Sequence, residues 1–386
     1  MNKTSCILFL IILTMICRKP YNPPVIANTP SYLVVEGVIS TGADSTIVKL
    51  SRTISLSNGA TVNMVTHATL TIESNANTTY PLTEIKKGYY ATPGLNLDNT
   101  KQYRLRVKTP DNQQYLSDFV PVNVSPPIDS VGFTVANTGV QIYANTHDPN
   151  NNTRYYRWDY AETWQFHTQY YSEYVTDGTQ LVGRQANQFV YYCFAGDLSS
   201  TIILGSSAKL SQDVIYQNPI TLVPSTSEKI ESKYSILLRQ YALSGDAFKF
   251  WTNLKKTTEE LGSIFDAQPT EINGNIHNIN NPNEPVIGYI SACAIQSKRI
   301  FIDNTQLPVT WRPIYPFSCS LDSLYFKAPF DSVNQVLEYL IPLGSSSRAI
   351  TPFPSVPPPP KGYIAASSQC ADCTIRGVTQ APSFWQ

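Results

Sequence analysis

The chain has 386 residues, balances 28 Lys and Arg against 28 Asp and Glu, and is 42% apolar and 11% aromatic. That length and apolar content suffice for about two domains with buried cores, which excludes a wholly disordered chain. Zero net charge without a basic run excludes the electrostatic footprint that nucleic-acid binding needs.

Residues 6–16 (CILFLIILTMI) form an unbroken apolar run behind a short head carrying Lys3. The run is too short to cross a ~30 Å hydrocarbon core as a helix, but it fits the apolar region of a secretory signal. It stops at Cys17, and a cysteine placed directly behind such a run is where a lipoprotein receives its diacylglycerol. Residues 1–16 are therefore read as a lipoprotein signal peptide and Cys17 as the lipidation site. Several acyl chains, at ~0.8 kcal/mol per buried CH₂, would make the membrane anchor hard to reverse. The alternative is a soluble secreted protein whose Cys17 lies in the discarded peptide. Residues 17–30, Pro-rich and polar, read as a tether.

Strand signals then follow at short spacing: 32–39 (YLVVEGVI), 47–50 (IVKL) and 68–72 (ATLTI) are β-branched and bounded by turn residues. Residues 103–108 (YRLRVK) alternate apolar and basic with period two, and the segment ending at Val122 reads as their hairpin partner. These strands predict an N-terminal β-sandwich of Ig-like or transthyretin-like kind over residues 31–125. Pro126 and Pro127 interrupt pairing and mark a boundary. A larger β-rich domain is expected over 126–350. In its long stretch 154–174, Tyr156, Trp158, Tyr160, Trp164 and Phe166 all share one parity, a strand with an aromatic face. One helix stands out near 245–261, with a cap at Ser244 and a stripe through Ala247, Trp251 and Leu254. Residues 351–386 form a Pro-rich C-terminal segment, six prolines falling in 351–360, with a C-x-x-C at Cys370 and Cys373. The fold class is thus mainly β.

Two cysteines belong to the leader, which leaves Cys193, Cys293, Cys319, Cys370 and Cys373. Export implies oxidising conditions, so Cys319, Cys370 and Cys373 are candidate disulfide residues, with a bridge from one of the C-x-x-C pair to Cys319 expected. The connectivity stays open, and at least one thiol must stay free. One C-x-x-C does not make a four-ligand zinc site, so no metal is expected.

None of the four histidines falls in an H-E-x-x-H, and no nucleophile elbow, phosphate loop or dinucleotide fingerprint occurs. No catalytic residue and no cofactor are assigned, and the chain is read as a non-enzyme. Recognition has better candidates. Trp158, Tyr160 and Trp164 offer flat rings beside polar neighbours, able to stack on sugars or hold peptide side chains, unless that face packs a sheet core. Tyr170, Tyr171 and Tyr174 fall on both parities and read as exposed. His277, within Gly-Asn-Ile-His-Asn, is a further binding candidate.

Several segments together resemble one family. Cys17-Arg18-Lys19-Pro20-Tyr21 leads into Leu33-Val34-Val35-Glu36-Gly37 and Val48-Lys49-Leu50-Ser51-Arg52. Pro126-Pro127-Ile128-Asp129-Ser130 opens the second half, and YSILLRQYAL at 234–243 runs into Phe250-Trp251 and Leu261-Gly262. The chain closes on Cys370-Ala371-Asp372-Cys373 and Phe384-Trp385. This pattern is similar to the domain-of-unknown-function family numbered 4249. The resemblance implies an exported lipoprotein of Gram-negative bacteria, often encoded beside TonB-dependent transporters, and it carries over no catalytic residue or ligand. The expected role is a lipid-anchored accessory or binding protein at the outer membrane, on its periplasmic or its surface face, with such a transporter as partner. The alternatives are a structural envelope lipoprotein and a surface or periplasmic enzyme whose site follows no motif.

Overall fold

The computed structural model describes residues 31–54, 62–259, 274–327, 332–354 and 359–385. The signal peptide, Cys17 and the tether lie outside the described residues. What is described is mainly β, built as several sheets.

The first half runs β1 (Leu33–Ser40), β2 (Thr46–Arg52), β3 (Asn63–Met64), β4 (Thr69–Ser74), β5 (Thr79–Lys86), β6 (Tyr89–Thr92), β7 (Gln102–Lys108), β8 (Gln114–Ser117) and β9 (Val120–Val124). Period-two alternation supplies its core, as β7 shows. Tyr103, Leu105 and Val107 are buried, while Arg104 and Arg106 face out onto Glu73 of β4. β5 serves two layers: residues 79–82 pair with β4, and residues 83–86 pair with β6 across an irregularity between Glu84 and Lys86. The β5–β6 turn needs Gly88, whose φ is +72° and whose Cβ would meet the Leu50 carbonyl oxygen at 2.9 Å.

The second half runs β10 (Ile128–Ala136), β11 (Gly139–Asp148), β12 (Tyr155–His167), β13 (Tyr174–Thr176), β14 (Leu181–Gly183), β15 (Tyr192–Leu198), β16 (Ile203–Ser206), β17 (Asp213–Pro224) and β18 (Lys233–Ala242). Helix α1 (Gly245–Thr258) follows, then β19 (Ile276–Asn278), β20 (Ala292–Ala294) and β21 (Gln296–Asp303). One sheet has the order β10-β11-β17 and another β15-β12-β18-β21, with β16 also on β12. Their facing sides share one core, in which Val140 and Ile142 of β11 meet Trp158 and Phe166 of β12 and Ile236 and Leu238 of β18. At the boundary, the Ser125 hydroxyl donates to the Gln240 carbonyl (3.2 Å) and accepts from the Ala242 N–H (2.7 Å), fastening the Pro126-Pro127 crossing to β18.

Two late strands return to the first half. β19 pairs antiparallel with β8, and β20 inserts parallel between β1 and β9. Because β9 also pairs with the start of β7, hydrogen bonding runs unbroken around the circuit β7-β4-β5-β6-β2-β1-β20-β9. Residues 31–125 are thus completed by strands from beyond residue 274. The cause is the sheet edge: without β20, β1 and β9 would leave unpaired N–H and C=O groups beside a buried core. Ahead of β20, Ile287 forms an isolated parallel bridge with Val34 of β1.

Helix α1 starts where its cap predicts, the Ser244 hydroxyl accepting from the Ala247 N–H at 3.2 Å. Its buried residues are Ala247 and Phe250. Trp251, expected to lead the buried stripe, is half-buried and packs on Arg157 of β12. The expected end of the helix, residues 260–261, lies outside the described residues. A small terminal sheet, unforeseen in the sequence, combines β22 (Asp322–Tyr325), β23 (Ser347–Phe353) and β24 (Gly362–Ser367) with the short helices α2 (Gln335–Tyr339) and α3 (Ser368–Ala371). Of the Pro-rich segment, residues 351–353 are extended in β23, and residues 355–358 lie outside the described residues.

Two cystines hold this terminal segment. Cys319 bonds to Cys370, the expected bridge, and Cys193 bonds to Cys373. The second pairing adds Cys193 to the three candidates. The two cysteines of the C-x-x-C therefore take different partners, and Cys293 is free and buried in β20.

Candidate functional site

The aromatic face of β12 turns inward. Trp158 is 1% exposed and donates its indole N–H to the Gln240 Oε1 (3.0 Å). Tyr160 and Trp164 are each 8% exposed, and the Tyr160 hydroxyl bonds to Thr221 of β17 at 3.1 Å. Trp158, Tyr160 and Trp164 are thus core residues, a correction to their reading as surface binding rings. Two layers closing over one parity of β12 leave those rings no route to solvent except at the strand's end.

That end is where rings surface. Beyond His167 the alternation breaks, and Tyr171 stands 42% exposed. The segment entering β15 brings Phe189, Tyr191 and Tyr192 against it. Tyr171 lies 5.4 Å from Phe189 and 5.5 Å from Tyr191 between ring centroids. Tyr191 stacks on His167 at 5.1 Å and meets Tyr192 edge-on at 4.8 Å. Burial raises the Tyr191 hydroxyl pKa first, and neighbouring Tyr192 raises it further. Phe189 and Tyr192 are both exposed, so the cluster is an open apolar shelf. Its footing is covalent: Cys193 follows Tyr192 directly, and the N–H of its partner Cys373 donates to the Val190 carbonyl at 2.9 Å.

Polar groups flank the shelf. His167 Nδ1 lies 2.8 Å from the Thr168 carbonyl oxygen, so that nitrogen carries the proton in the neutral ring and Nε2 faces Glu231 at 3.5 Å. The other Glu231 oxygen accepts from the Tyr315 hydroxyl (2.9 Å). Burial first, then the Glu231 charge, push the Tyr315 pKa up, so it stays a donor at neutral pH. Behind His167 opens a hollow of about 470 Å³ lined by Glu231, Asn304, Trp311 and Arg312. Flat rings beside donors and acceptors suit a ligand with both an apolar face and hydroxyl or amide groups.

The other candidates disperse. Tyr170 is half-buried, its hydroxyl reaching the Cys319 carbonyl (3.4 Å) and its N–H the Cys370 carbonyl (3.0 Å). Tyr174 packs edge-on against Tyr363 of β24 at 5.2 Å. Both therefore brace the terminal sheet. Exposed His277 sits on β19 in the first half, 3.3 Å from Asp118, and belongs to a different face of the fold. Cys17 lies outside the described residues. Phe189, Tyr191 and Tyr192 are not among the binding candidates read from the sequence. The signal for them was the run FVYYCF at 189–194, whose aromatics follow neither helical nor strand period. Among the described residues, no three His, Cys, Asp or Glu side chains group as metal ligands.

A family profile described as "Domain of unknown function (DUF4249)" matches residues 18–299. The chain belongs to this family. Among curated proteins nothing matches this DUF4249 chain significantly. Solved structures similar to it include a two-domain fibronectin type-III segment of chicken tenascin, at 11% identity and TM-score 0.18, covering 56% of this chain and 93% of that one. Another is the Yersinia pseudotuberculosis adhesin InvE, at 17% identity and TM-score 0.15, with 56% of each chain covered. A cycloalternan-degrading enzyme from Trueperella pyogenes is 7% identical, with TM-score 0.15 and 69% and 32% of the two chains covered. Likeness at these scores carries no argument about fold or function.

Proposed function

We propose that this DUF4249 protein is a lipid-anchored accessory of the outer membrane that captures a ligand and passes it to a TonB-dependent transporter. The observation that carries the capture role is the open shelf of Tyr171, Phe189, Tyr191 and Tyr192, clamped by a cystine and flanked by the polar hollow around Glu231. Exposed rings cost the free protein solvation, and a ligand with flat C–H faces, such as a sugar, returns it by covering them. Export is supported by the apolar run ending at Cys17 and by two cystines, which persist in oxidising compartments.

The test joins location to partnership. The protein is isolated from mildly solubilised native membranes, its N-terminal peptide is weighed and its co-purifying proteins are identified. A diacylglyceryl group on Cys17 and a transporter in the same fraction are expected, and Cys17→Ser releases the chain from the membrane. An unmodified Cys17 thiol, or membranes yielding no transporter, refutes the proposal. Replacing Tyr171 and Tyr192 together by Ala leaves folding intact and abolishes ligand transfer if the shelf is the capture surface.

A further inference from the structure

A second hollow, of about 320 Å³, lies where the two halves of the chain meet. Residues 34–36 of β1 and 287–289 form one wall, Arg157 and Asp159 of β12 another, and Phe250, Trp251 and Leu254 of α1 the third. At its edge the Arg157 guanidinium is held between two rings, 4.4 Å from the Trp251 centroid and 4.6 Å from that of Tyr241. Its side chain is only 15% exposed, yet it donates no hydrogen bond to any described residue, and its Nε is buried without a partner. The nearest acid, Asp159, is 3.8 Å away and is already engaged by Arg239 Nε at 2.5 Å and the Tyr241 hydroxyl at 2.8 Å.

The charges facing the hollow do not cancel. Of the charged residues lining it, Glu36 is paired with Lys49 at 2.7 Å and Asp159 with Arg239 at 2.5 Å, which leaves Arg157 with nothing nearer than Asp159 at 3.8 Å. A buried guanidinium with free donors is costly unless an acceptor joins it, and its planar fork matches a carboxylate. The α1 side of the hollow is apolar and aromatic, Ser199, Ser200 and Thr201 add hydroxyls on another side, and the volume is of the size that takes small molecules. We propose that this hollow binds an apolar or aromatic monocarboxylate. The carboxylate accepts from the outer nitrogens of Arg157, and the hydrocarbon body lies against Trp251, Phe250, Leu254 and Tyr289. This site is separate from the tyrosine shelf and rests on neither the membrane anchor nor the transporter.

The full chain is titrated with 3-phenylpropionate and with its neutral twin 3-phenylpropionamide, read by tryptophan emission and by melting temperature. The acid is expected to bind saturably, with Kd below about 10 mM, and at least about tenfold more tightly than the amide. Arg157→Gln brings the acid down to the amide's affinity, and Arg157→Lys retains part of the preference, since the charge stays and the fork is lost. Should Arg157→Gln fail to fold, Leu254→Trp keeps the guanidinium and fills the hollow, and it is expected to abolish binding of both probes. Equal affinity for acid and amide, acid binding untouched by Arg157→Gln or Leu254→Trp, or no saturable binding of the acid overturns the proposal.

Discussion

Removing the Cys193–Cys373 bridge as Cys193→Ala with Cys373→Ala tests how far the cystines hold the terminal segment. The bonded residues are 180 positions apart, against 51 for Cys319–Cys370. Chain entropy alone assigns the longer loop about 5 kcal/mol and the shorter about 4 kcal/mol at 25 °C. The loops are nested, because Cys319–Cys370 lies inside the longer one and shortens its free path to about 130 residues. The logarithmic dependence makes that a correction of only a few tenths of a kcal/mol. Alanine is the right replacement, since Cys193 and Cys373 are fully buried and a serine hydroxyl there would lack a partner. Measured losses usually fall short of the entropic figure, so about 2–4 kcal/mol is expected from urea unfolding, larger than for Cys319→Ala with Cys370→Ala. Mild reductant should open Cys319–Cys370 first, because Cys319 is half-buried while both sulfurs of the other bridge are sealed. An unfolding midpoint indifferent to loss of the Cys193–Cys373 pair would refute the reasoning, as would its earlier reduction.

Ser244→Ala removes the α1 cap and is expected to cost about 1 kcal/mol in urea unfolding. The Asp129 carboxylate lies 2.8 Å from His147 Nδ1 and raises the His147 pKa, by its hydrogen bond first and its charge second. The stabilisation is therefore complete below the unfolded pKa of about 6.5 and is lost as pH rises through the higher folded value. NMR titration of Asp129→Asn should return His147 to its ordinary range. Tyr115 is pushed up to about 12 by burial first and by Glu284 second, its hydroxyl donating to Glu284 Oε1 at 3.0 Å. That contribution holds below about pH 10 and disappears between about 10 and 12. Glu284→Gln should lower the Tyr115 pKa in an ultraviolet titration and destabilise the docking of β19 on β8 by about 1–2 kcal/mol.

What was legible in the sequence is local. Alternation in residues 103–108 and 156–166 specified strands and which side chains share a face, because successive strand side chains point to opposite sides whatever surrounds them. Ser244 before an apolar-periodic run specified the start of α1, since the cap bond spans three residues. Tertiary structure alone decided whether the aromatic face of β12 met water or another sheet, for Trp158 and Trp164 look the same in either setting until β11 and β17 close over them. It also decided that β20 fills the gap between β1 and β9, that Cys193 joins Cys373, and that Phe189, Tyr191 and Tyr192 gather around Tyr171. Each of these joins residues distant in sequence or freed from any regular period, and the energy that selects them comes from shared burial and shared hydrogen bonds, which no local window contains.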